Sequence, residues 1–246
     1  MSEGLIIKSC YESFAIFLRN IGERFNKNAA TQLDKIVSQH RISNLGDILY
    51  LSLLHGATWV VKGMNNWDRY LIHLLRNAPI ISNSQIIYNA VFAKGYKGTR
   101  KNKLFHILDF YHNNVFNNLG IQSTAHLGHV AQQNLGQFIN SIFMHVSQSY
   151  KNVPQINQWT AFVPLKTMMI YLIYGKKHGL SIPSSVNINS LVVPLGSSVG
   201  RAIEFLFGKK VPMNFVQEFH RYLAELTGSN IFDINSGLYI LGSVFL

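Results

Sequence analysis

The sequence predicts an all-α protein, and three observations carry that reading. Apolar residues recur at helical spacing in nearly every segment. Polar residues stand where helix caps belong, and glycines stand where helices should close. Only residues 186–194 read as extended and β-branched, as a short strand or a loop.

The first expected helix covers 11–25, with Phe14, Phe17, Leu18 and Ile21 on one face. A second covers 45–61, after the polar pair Ser43 and Asn44. The third, 67–75, is amphipathic, with Asn65 and Asn66 as candidate caps. Residues 84–92 and 101–116 follow the same pattern, and 127–148 reads as one long, bent helix. A polar connector over 149–164 then leads to a compact apolar helix, 166–174, closed by Gly175 and Gly179. Helices are expected again over 197–207, 213–226 and 236–246. No repeat, low-complexity tract or linker divides the chain, so a single compact helical domain over 1–246 is expected.

The length allows a sizeable core, and 48% hydrophobic residues exclude a disordered chain. Charged residues make up 13%, about half the usual share, so Asn, Gln, Ser and His must carry much of the surface. Lys and Arg number 22 against 11 acids, a net charge of +11. That imbalance favours a polyanionic partner, nucleic acid or an anionic membrane surface. A basic surface without a dedicated partner is the alternative. No acid falls between Asp109 and Glu204, an interval that holds Lys151, Lys166, Lys176, Lys177 and Arg201. Such an interval suits a phosphate-facing surface and removes most candidate general bases. Cys10 is alone, which excludes an internal disulfide and a thiolate metal cluster. The N-terminus lacks the basic-then-apolar layout of a signal peptide. The longest apolar run, 48–61, is interrupted by His55 and too short to span a bilayer. An intracellular protein without a membrane partner is expected.

Three constellations are candidates for chemistry. Lys166 opens the apolar helix 166–174, where the helix dipole and burial both disfavour an ammonium and favour a neutral, nucleophilic amine. A lysine snorkelling from the end of a core helix is the plainer alternative. Gly196, Ser197 and Ser198, ahead of Arg201, form a small-residue turn into a helix that can hold an anion, or an ordinary capped turn. Lys94, Lys97, Arg100, Lys101 and Lys103, interleaved with Tyr96 and two glycines, suit backbone phosphates or a solvated loop. His126 and His129 can share a helical face, but no acid or cysteine nearby completes a metal site, and no metal is expected.

Three stretches resemble the archaeal 8-oxoguanine DNA glycosylase family, a branch of the helix-hairpin-helix base-excision enzymes. The first runs from the apolar residues 48–54 through Lys62, Gly63, Met64, Asn65 and Asn66 to Trp67. The second pairs Lys166 and Thr167 with Val193 and Pro194, and the third runs from Phe232, Asp233, Ile234, Asn235 and Ser236 to Leu241 and Gly242. The resemblance implies a helix-hairpin-helix DNA glycosylase-like helical bundle with a central cleft. Two helical subdomains would flank it, with the hairpin and Lys-bearing helix around 135–210. It implies Lys166 as the catalytic amine, which attacks C1′ of a flipped, oxidised purine nucleotide and permits strand cleavage through an imine. Trp67, Asn235 and Tyr239 would line the base pocket; for the two aromatics, core packing is the alternative. Double-stranded damaged DNA would be the partner, gripped by Lys94, Lys97, Arg100, Lys101, Lys103, Lys151, Gly196, Ser197, Ser198 and Arg201. A monomer without a cofactor is expected. Two departures stand out. The family's Pro-x-Asp aspartate falls on Gly196, and its Ile-Asp-Ser aspartate on Asn235, with Asp233 two residues earlier as the substitute acid. A DNA-binding relative without catalysis is therefore a second expectation, and a helical protein with a protein partner a third.

Overall fold

Asparagine starts most of the helices. The side chains of Asn44, Asn83, Asn134, Asn157 and Asn230, together with Ser123, accept hydrogen bonds from backbone N–H groups in the first turn that follows each. A chain poor in Asp and Glu thus satisfies its orphan helix donors with amides.

The architecture, that of a computed structural model, is all-α. It describes residues 3–61, 63–64 and 66–245, with the backbone alone at 3–8 and 245. Lys62 and the candidate cap Asn65 lie outside the described residues. The helices are α1 (Glu3–Gln39), α2 (Leu45–Thr58), α3 (Trp67–Asn77), α4 (Ser84–Val91), α5 (Lys101–Phe110), α6 (Thr124–Gln133), α7 (Leu135–Ser149), α8 (Gln158–Tyr174), α9 (Ser197–Phe207), α10 (Met213–Thr227) and α11 (Ile231–Ile240). Short π-helical segments, Tyr111–Phe116 and Leu241–Phe245, continue α5 and α11. Among the described residues there is no strand, and no helix is long and apolar enough to cross a membrane.

The chain divides into two compact units: a middle unit of residues 31–186 and a terminal unit of 1–30 with 187–246. In the middle unit α2 is buried on nearly every side, as a helix apolar all round must be. Its glycines let backbones meet. A Cβ on Gly46 would fall 1.5 Å from the Thr124 carbonyl oxygen of α6, and one on Gly56 would fall 2.8 Å from the Val163 carbonyl oxygen of α8. Asp34 ties the far end of α8, accepting from the Tyr171 hydroxyl at 2.6 Å and the Lys176 N–H at 2.9 Å. In the terminal unit Gly22 and Gly237 do the same for α1 and α11, and a Cβ on Gly237 would lie 2.3 Å from the Leu18 carbonyl oxygen.

Several elements depart from the sequence expectation, each for a local reason. The long helix over 127–148 is two helices, broken at Asn134, whose ψ of 84° leaves the helical region while its side chain caps α7. The connector is shorter than expected, because Asn157 and Thr160 form a reciprocal capping box that starts α8 upstream of Pro164. Proline inside a helix forfeits a backbone bond. The helix nonetheless runs through it, and one residue along, the Tyr111 hydroxyl donates to the Ala161 carbonyl at 2.6 Å. Lys166 consequently lies mid-helix, and the expected helix-dipole effect on its amine has no basis. Residues 186–194 are not a strand. They form a 3₁₀ turn, Ile188–Ser190, and a loop whose Val193 backbone is held in both directions by the Gln217 amide, at 2.8 and 3.3 Å. On α1, Phe17 points outward, and the buried stripe of the terminal unit runs through Ala15, Leu18, Gly22 and Asn26.

Candidate nucleic-acid interface

The net charge is shared very unequally. The middle unit holds 14 Lys and Arg against Asp34, Asp47, Asp68 and Asp109, a net +10, whereas the terminal unit holds 8 against 7, a net +1. Two of the four acids are committed locally, Asp34 to α8 as above and Asp109 to the Ser84 hydroxyl and the Asn113 amide. Little in the middle unit offsets its positive field.

The basic loop before α5 brings Lys94, Lys97 and Arg100 together as exposed side chains. Lys101 is different. Its ammonium donates to the Tyr96 carbonyl at 2.8 Å and lies 5.4 Å from the Tyr70 ring centre, only 9% exposed. Burial pushes its pKa down. Lys101 therefore anchors the loop from beneath while its neighbours face outward. Lys103 packs 5.2 Å over the Trp159 ring, and burial with the nearby Arg100 charge lowers its pKa. Lys151 is exposed on the 3₁₀ turn Tyr150–Asn152.

Lys166, on α8, is 4% exposed, and its helix neighbours Leu165, Thr167, Met168 and Met169 are all buried. Trp67 is half-buried at the start of α3 and meets the His55 ring edge-on at 4.7 Å. Burial pushes the His55 imidazole down to about 3, so it is neutral at physiological pH.

In the terminal unit Asp233 is buried and engaged on both oxygens, by the Asn26 amide at 2.8 Å and the Asn230 amide at 2.6 Å. The Ser236 hydroxyl donates to the Asn26 side-chain Oδ1 at 2.7 Å and completes this network. Asn235, also buried, donates to the Pro194 carbonyl at 3.0 Å and lies 3.2 Å from His220 Nε2. His220 Nδ1–H donates to the Val216 carbonyl at 2.6 Å, which leaves Nε2 to accept. Tyr239 is exposed and packs against Phe25. Gly196 is the N-cap of α9, followed by the exposed Ser197 and the half-buried Ser198. Arg201 directs two guanidinium nitrogens at the Gly242 carbonyl, at 2.9 and 2.6 Å, and so closes the end of α11.

No family model, curated protein or solved structure matches the chain. Among the described residues no three His, Cys, Asp or Glu side chains converge as a metal site. His126 Nδ1 instead accepts the Gln122 N–H at 3.4 Å.

Sequence reasoning overlooked the outward face of α3. Arg69, His73 and Arg76 stand there four and three residues apart and line a cavity with His40 and Tyr96. The spacing was legible; the arrival of His40 from the end of α1 was not.

Proposed function

We propose that this protein is a DNA N-glycosylase with lyase activity on a helix-hairpin-helix-like scaffold, acting on damaged duplex DNA through Lys166. The single observation that supports it is an amine held almost wholly out of water on an apolar helix, in a unit whose net charge is +10. An amine needed only for solubility belongs at the surface, where lysine normally lies. The positive surface supplies the sequence-independent grip on phosphates.

In this reaction the Nζ lone pair forms a bond to C1′ of an extruded nucleotide as the glycosidic bond breaks. The base leaves with the electron pair of the broken glycosidic bond and takes up a proton from solvent. The amine loses its proton and the sugar ring opens, giving an imine; removal of a C2′ proton then expels the 3′-phosphate. No cofactor takes part. Borohydride reduces the imine to a stable amine, so incubation with duplexes carrying an oxidised purine should trap a covalent protein–DNA adduct, absent in Lys166→Ala. No adduct on any damaged duplex, or the same adduct from Lys166→Ala, overturns the enzyme reading.

A second reading, a DNA-binding relative without catalysis, has its own support. Gly196 brings no carboxylate to the α9 turn, and Asp233 is already committed to Asn26 and Asn230. It expects salt-sensitive DNA binding with no free base released, and measurable base release removes it.

A further inference from the structure

We infer that the outer face of α3 is a binding pocket for a single phosphorylated nucleotide, with the phosphate between Arg69 and Arg76. The cavity there measures about 310 Å³ and is lined by His40, Arg69, His73, Arg76 and Tyr96, a volume at the lower end of small-ligand sites.

Its walls are fixed before any ligand arrives. His73 Nε2–H donates to the Ala90 carbonyl at 3.1 Å, which sets the ring against Tyr96 with centroids 5.0 Å apart. Tyr96 also packs on Tyr70 at 4.9 Å, and its own carbonyl is held by Lys101. A pinned aromatic wall is a surface on which a base or sugar can rest at little entropic cost.

The two guanidinium groups are held differently. Arg69 and Arg76 are exposed, and among the described residues neither is in a salt bridge. They stand two turns apart on one helix face, so their forks can converge on one small anion between them. Asp68, the nearest acid in sequence, is about 100° round the helix from Arg69, and no carboxylate lines the cavity. Two planar five-donor groups without an acid partner suit the tetrahedral oxygens of a phosphate. An uncharged ligand would leave this field unanswered.

The site is separate from Lys166, so its test stands apart from the glycosylase test. Titration calorimetry of the full chain should use AMP, adenosine, and a 12-mer single strand bearing either a 5′-phosphate or a 5′-hydroxyl. AMP or the 5′-phosphorylated strand should bind, adenosine should bind at least tenfold more weakly than AMP, and Arg69→Gln/Arg76→Gln should weaken the phosphate-bearing probes at least tenfold. Lys166→Ala should bind them as the wild type does. AMP binding points to a free nucleotide; preference for the phosphorylated strand over the hydroxyl one, with no AMP binding, points to a strand end. Absence of binding by every phosphate-bearing probe overturns the inference, as does an equally tight complex with the double variant. Both arginines are exposed, so an unchanged melting curve should confirm that the variant is folded.

Discussion

The middle and terminal units answer the same problem, too few charges for their surface, in opposite ways. The middle unit leaves cations uncompensated, net +10, with Lys94, Lys97, Arg100, Arg69 and Arg76 exposed. The terminal unit is nearly neutral and leaves aromatic surface open instead. Tyr11, Phe207, Phe215, Phe219 and Tyr222 line a shallow groove of about 350 Å³, and Phe205 nearby in sequence is 67% exposed. The interiors differ as well, since the terminal unit buries the Asp233 carboxylate with one imidazole, His220, and the middle unit buries three imidazoles and the amines of Lys101 and Lys166. Neither burial is cheap, because a buried polar group costs stability unless it is hydrogen-bonded. Each unit therefore has its own most sensitive point.

In the terminal unit that point is Asp233. Asp233→Ala leaves the amides of Asn26 and Asn230 short of their shared acceptor in a dry network, and should cost about 2–4 kcal/mol of stability. Denaturant unfolding measures this, with Glu218→Ala as the exposed control from the same unit. Equal stability in the two variants would break the proposed contrast between interiors.

In the middle unit the sensitive point is His112. Its Nε2 lies 2.6 Å from the Tyr50 hydroxyl, which donates its proton to the Ala78 carbonyl, and its Nδ1 lies 2.9 Å from the Ser82 hydroxyl. Burial pushes the imidazole down to about 4. The unfolded chain, with histidine near its ordinary 6.5, then binds more protons than the folded one as pH falls between those values. Stability from this group is fully present above about pH 6.5, is lost as acid is added, and levels off below about pH 4. The loss amounts to at most about 3 kcal/mol. His112→Gln should lessen the slope of that part of the stability–pH curve, leaving the share that buried His55 contributes, and an unchanged slope would show the His112 imidazole to be accessible.

How much of this was legible in the sequence follows from where each partner lies. The start of α2 was read from Asn44, because a cap acts within three residues. The start of α8 was misplaced because Pro164 looks like a breaker, whereas the Asn157–Thr160 capping box starts the helix ahead of it and the helix runs on through the proline. The burial of Lys166 followed from its apolar neighbours, whereas its mid-helix position followed from that upstream capping box. The terminal unit was invisible because its network joins Asn26 to Asp233, 207 residues apart, and no local pattern records such a pairing. The Lys94–Lys103 loop was conspicuous as a run of charge. The arginines of α3 were not, since only spacing links them and two of the residues facing them come from other segments.

The smallest expected effect tests the charge contrast most directly. If the middle unit holds the DNA surface, Lys94→Gln/Lys97→Gln/Arg100→Gln should lower duplex affinity on the order of tenfold at low salt. It should also reduce the slope of log affinity against log salt by about 2–3, since each neutralised phosphate contact contributes about 0.9. Lys209→Gln/Lys210→Gln, an adjacent basic pair in the terminal unit, should change neither quantity. Both sets lie on exposed loop positions, so neither should alter the fold. The slope discriminates better than the affinity, because a change in shape alters binding strength without removing counterion release in proportion to the charges deleted. Equal slopes in the two variants would mean that DNA reads the whole surface, and the division of labour between the units would fail with them.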